Sequence, residues 1–192
     1  MRLTRPIWAL IGLLAVAGCG GTTTSTHTAT APAGGSFAWL SSGRHQVGAP
    51  GGAVAAGVLE HPSGWRVVRG DRGSVSFDRL RSGAIVGYLN ATPRSGGETV
   101  ANWARFRVAH NADEGDRGVH AMAAVTGRRI GVSRASCVID DYRTSLSRFR
   151  ELACLVARPN SAAVVLGAAP PRYWAMERPV FERAIADFVA SR

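Results

Sequence analysis

Any chemistry in this chain has to come from three cysteines, five histidines and a few acidic residues. The histidines are His27, His45, His61, His110 and His120, and no two are three or four positions apart. A helical metal-binding face is therefore not indicated, and they read as turn or surface residues, His61 in a turn with Pro62. The acidic clusters Asp140-Asp141 and Asp113-Glu114-Gly115-Asp116 lack the loop spacing of an EF-hand and read as solvated turns. A paired-carboxylate hydrolase would need two distant acids brought together by the fold. Cys137 and Cys154 form neither a Cys-x-x-Cys redox motif nor a four-ligand zinc set. No Gly-x-Ser-x-Gly, Ser-x-x-Lys or phosphate-cradling glycine loop occurs. The sequence thus assigns no catalytic residue, no cofactor and no metal ligand, and points away from an enzyme.

Cys19 has a different setting. Arg2 and Arg5 precede an apolar run from Ile7 to Ala17, about half of the roughly 20 residues that cross a bilayer. That is the layout of a secretory signal, with small residues before the cleavage point. Val16-Ala17-Gly18-Cys19 resembles the bacterial lipobox. The resemblance implies acylation of the Cys19 thiol (a palmitate-type lipid), cleavage before it, and a mature lipoprotein anchored to the outer side of the cell membrane. Residues 20–35 hold no bulky apolar side chain and read as a disordered Thr/Gly-rich tether. Its r.m.s. reach is on the order of 20 Å, and its full extension roughly 50 Å. The expected layout is a signal peptide over 1–18, a lipidated tether over 19–35 and a single globular domain over 36–192.

The composition suits a folded domain, with 46% hydrophobic residues and a net charge of +10. Every one of the 23 basic residues is arginine. Their scatter reads first as compositional bias, yet such a surface is still drawn to anionic headgroups or acidic envelope polymers within about a Debye length. Nucleic acid is not an expected partner, because the arginines are unclustered, no recognition motif occurs and the address is extracytoplasmic. With Cys19 taken by lipid, Cys137 and Cys154 remain as an even pair in an oxidising compartment, where a disulfide is the default.

The elements follow from turn residues and period. His61-Pro62-Ser63-Gly64, Asp71-Arg72-Gly73 and Ser82-Gly83 separate strands over Trp65–Arg69, Ser74–Arg79 and Ala84–Thr92. A helix is predicted from Glu98 to Asn111, with Arg105 and Arg107 toward water. Ile130 and Val132 alternate as in a strand, and Ser136–Ile139 and Phe149–Val156 flank a polar connection from Asp140 to Ser147. Ala162–Ala168 fits a strand buried on both faces. A last amphipathic helix carries Val180, Phe181, Ala184, Ile185 and Phe188 on one stripe, with Pro179 in its first turn. If Cys137 lies opposite Cys154 on antiparallel strands, Tyr142 falls opposite Phe149, an aromatic pair that supports this register. The tryptophans Trp39, Trp65, Trp103 and Trp174 read as core residues ahead of pocket residues.

The His-Pro-x-Gly-Trp opening, the strand hairpins, the middle helix and Trp174 followed by Pro179 and an apolar helix together resemble the PsbP-like fold. The resemblance covers about Val58 to Ala190 and implies an α+β domain, an antiparallel sheet with helices packed on it. It transfers no site residue. The expected function is a non-enzymatic accessory or protein-binding module at the cell envelope, meeting an envelope protein or an anionic polymer. The alternative is a small-ligand or lipid-binding lipoprotein with a cavity between helix and sheet.

Overall fold

The structure is a computed structural model that describes residues 37–41, 49–54 and 56–190. The signal, the lipobox with Cys19, the tether, His27 and His45 lie outside the described residues. Nine strands, β1 (Ala49–Val54), β2 (Gly57–His61), β3 (Arg66–Val68), β4 (Val75–Arg81), β5 (Ala84–Pro93), β6 (Arg117–Ile130), β7 (Ser133–Arg143), β8 (Arg148–Arg158) and β9 (Ser161–Ala169), are described with two helices, α1 (Trp103–Asp113) and α2 (Trp174–Ala190). Strands β3 to β9 build one antiparallel sheet in the order β3-β4-β5-β9-β8-β7-β6, and β1 pairs with β2 beside it. This is the expected α+β class.

Tight turns make the hairpins. Ser82 and Gly83 both have positive φ, 49° and 79°, the hand that matches the twist of the flanking strands. The apolar run in β9 becomes the central strand because the chain leaves after β5, builds α1 to β8, and returns between β5 and β8. Helices then cover the sheet from both sides. On one face Phe181, Ile185 and Phe188 of α2 pack with Leu89, Leu152, Cys154 and Val165. On the other, Trp103 at the start of α1 packs with Val138, Ala153 and Leu155, its indole N–H donating to the Ala153 carbonyl at 2.9 Å.

The disulfide joins Cys137 and Cys154, directly opposite one another in the β7–β8 ladder. Tyr142 and Phe149 are opposite in the same register, with ring centroids 5.9 Å apart.

Several expectations are corrected. Helix α1 starts at Trp103 and not at Glu98, because local polar bonds hold the preceding residues in a turn. The Glu98 carboxylate accepts the N–H groups of Ser95 and Gly96, while Thr99 and Asn102 cap each other's backbone N–H; such bonds compete with helix. Helix α2 starts at Trp174, which puts Pro179 inside it. The Pro171–Tyr173 3-10 turn takes over the role of helix start. Val132 continues no strand, since Ile130 pairs with Ser133 across a turn. The polar connection between β7 and β8 shrinks to Thr144–Ser147, and Asp140 and Asp141 are buried strand residues.

Candidate functional site

Period-two alternation splits Asp140 and Asp141 between the two faces of β7. On the α2 face, Asp141 accepts from Arg148 at 2.9 Å and from Arg150 at 2.6 Å, and these hydrogen bonds hold its carboxyl below the usual range. On the α1 face, Asp140 stands opposite Glu151 of β8. The fold therefore does bring two distant acids together. Arg107, expected toward water, instead reaches down from α1 and grips Glu151 with two bonds of 2.6 and 2.8 Å. Asp140 has a single weak protein contact, Asn111 of α1 at 3.5 Å. Burial, and then the Glu151 charge, push the Asp140 carboxyl up to about 8. The Asp140 carboxyl therefore holds its proton more tightly than a free one does.

This pair of acids is not placed for hydrolysis. Asp140 is 0% exposed and Glu151 1%, and Glu151 is held by Arg107 of α1, so neither carboxylate is free to act as a base on a bound water.

Beyond α1 the same face is open. Residues from β4, β5, β8 and β9, together with α1, enclose a groove of about 290 Å³. Its floor is an array of hydroxyl and amide groups. Ser74 donates to Thr92 at 2.9 Å, Asn90 donates to Ser76 at 2.8 Å, and Ser76 shares a 3.3 Å bond with the Tyr88 phenol. Leu166 supplies an apolar patch, and Tyr142 and the Arg107–Glu151 pair close one side. Mutual bonding fixes these side chains before any ligand arrives, so little ordering entropy is lost on binding. Chemically the groove offers hydrogen bonds, and with Arg107 paired to Glu151 the Asp71 carboxylate is the charge left over in its lining. Among its lining residues there is no histidine or cysteine to activate a nucleophile.

The other singled-out residues take structural positions. His61 stacks on Phe77 at 4.1 Å, His110 pairs with Glu114, and Trp65, Trp103 and Trp174 are buried core. Among the described residues no three His, Cys, Asp or Glu side chains stand together in a way that could hold a metal. Between α2 and the sheet there is no room for a ligand at Gly167. A Cβ there would collide with the Phe181 ring. The sequence reading did not find the groove, because its polar residues alternate with core residues along β4 and β5 and look like an ordinary solvated face.

The chain is similar to the cyanobacterial PsbP of Synechocystis, with a TM-score of 0.52 at 17% identity over 74% of this chain and 97% of that one. The fold is PsbP-like. A protein of unknown function from Pseudomonas aeruginosa is similar at TM-score 0.50 and 15% identity, over 72% of this chain and 94% of that one. Identities this low establish a shared PsbP-like architecture and no shared activity. No family's sequence model and no curated protein matches the chain.

Proposed function

We propose that the chain is an exported lipoprotein, anchored outside the membrane by acyl groups on Cys19, whose folded part is a non-enzymatic binding module. The observation that carries this reading is the prearranged polar groove on the open half of the sheet. Its hydroxyl, amide and phenol groups, with Asp71 beside them, suit a hydrogen-bonding ligand without negative charge, such as an extended segment of an envelope protein. The alternative of a lipid held between helix and sheet is less favoured, since Phe181 against Gly167 fills that layer and the groove itself is polar.

The test is capture from detergent-solubilised envelope with the full chain and with Asn90→Leu, which removes a donor and fills the groove. The wild type should retain a partner that the variant loses. Identical capture by both chains, or a robust hydrolase activity of the wild type without a partner, would overturn the proposal.

A further inference from the structure

Strand directions put several chain reversals at one end of the sheet. The β4–β5 turn, the β7–β8 turn, the start of β6 and the passage from β9 toward α2 all lie there. At this end Arg117 is opposite Arg143, and Arg143 is opposite Arg148. Like charges directly opposite one another destabilise a ladder. Arg148 has Asp141 as a partner, but Asp141 also serves Arg150. Among the described residues no acid forms an ion pair with Arg117 or Arg143. The three arginines and Tyr142 line an open recess of about 300 Å³.

Beside that recess stands an apolar tip. Leu146 is 94% exposed, and its turn is preformed. The Thr144 hydroxyl oxygen accepts the N–H groups of Leu146 and Ser147, both at 3.1 Å, and Thr144 N–H donates to the Ser147 carbonyl at 2.9 Å. A lone exposed leucine is ordinary. This one is held on a fixed hairpin beside Arg117 and Arg143, which have no ion-pair partner among the described residues, and Leu80 and Ile85 are exposed on the β4–β5 hairpin at the same end, with β9 between the two hairpins. The acidic turn Asp113 to Asp116 leads directly into Arg117, and Asp116 lies close enough to Tyr142 and Glu151 to repel their ionisation.

We infer that this end of the sheet is a docking surface for anionic phospholipid. Leu146 enters the headgroup layer while Arg117, Arg143 and Arg148 take the lipid phosphates. An apolar tip ringed by cations fits a surface that is charged outside and oily beneath. This goes beyond the groove-binding reading and does not depend on it.

The experiment uses the full chain with Cys19→Ala and Ser145→Cys. The Cys137–Cys154 disulfide then leaves residue 145 as the one labelled thiol, carrying an environment-sensitive dye. Because the readout is local to the hairpin, membrane attachment through any other segment does not mimic it. The dye should shift to the blue on vesicles containing phosphatidylglycerol and stay in water on phosphatidylcholine alone. The shift should be lost in Leu146→Asp, lost in the combined Arg117→Gln, Arg143→Gln and Arg148→Gln variant, and lost at about 1 M salt, where the Debye length is about 3 Å. It should persist in Arg129→Gln with Arg134→Gln, a like-charged pair at the opposite end of the sheet. The inference fails on any of four results: no shift on anionic vesicles, an equal shift on neutral ones, equal loss from the Arg129 and Arg134 control, or an unaffected Leu146→Asp chain. Abolition of the shift by inorganic phosphate at constant ionic strength would also sink it, assigning the recess to a free anion.

Discussion

Beneath α1 the Arg107–Glu151 pair and the Asp140 carboxyl form a buried polar cluster whose parts are worth very different amounts. Removing Arg107 alone leaves the Glu151 carboxylate buried without its cation, and Arg107→Met should cost about 3–5 kcal/mol. Adding Glu151→Leu removes the stranded charge. The double variant should recover most of that loss in urea melts, because a well-packed apolar replacement of a buried pair is often neutral or better. Asp140 behaves in the opposite sense to a salt-bridged acid. The unfolded chain releases this proton near the ordinary value of 3.8, whereas the fold keeps it to about 8. Between those values the folded state binds more protons, so Asp140 makes stability fall as pH rises, by at most about 1.4 kcal/mol per pH unit. Asp140→Asn cannot titrate and keeps the neutral shape. Denaturant midpoints at pH 5 and pH 8 should show a smaller drop in the variant than in the wild type. Much of this was legible in one pattern: the register that sets Cys137 against Cys154 also sets Asp141 against Arg150 and Asp140 against Glu151. Two adjacent acids resemble a turn only while the strand is assumed to stop before them.

The strands were readable as elements because Gly, Pro and Asp mark their turns and apolar residues alternate along them or, as in β9, run through them, while helix ends were less so. Apolar spacing near Glu98 fits a helix, but Thr99 and Asn102 satisfy the backbone locally, and no periodicity reports that. Strand order was not legible at all, since the return of β9 between β5 and β8 is a long-range choice made by burial. Two contacts hold the layers so produced. Gly167→Ala would push the Phe181 ring off β9, an overpacking cost on the order of 1–3 kcal/mol. The Cys137–Cys154 bond joins β7 to β8 across 17 residues of chain, and its reduction should cost about 3 kcal/mol on the loop-entropy account. Denaturant midpoints with and without reductant check the value, and a count of two reactive thiols in the untreated, unfolded protein would remove the bond itself.

Across the whole molecule, burial reshapes the charge. Of the 13 acidic residues, Asp78, Asp141, Glu151 and Glu177 are buried against arginine partners, so these pairs cancel internally and the basic excess is carried by the remaining arginines. Such a field draws the protein to anionic surfaces, but it weakens as salt shortens the Debye length. Lipid does not: each buried methylene contributes about 0.8 kcal/mol regardless of ionic strength, and stable anchoring takes more than one such signal. If Cys19 is acylated, the two attachments are separable. Membranes carrying the wild-type protein should keep it through a wash at about 1 M salt, and intact-mass measurement should find a chain that begins at an acylated Cys19. Cys19→Ala should yield no acylated product and no cleavage before residue 19. A wild-type chain that starts beyond Cys19 would have lost both the apolar run and the acyl site, and the salt wash should then strip it from the membrane.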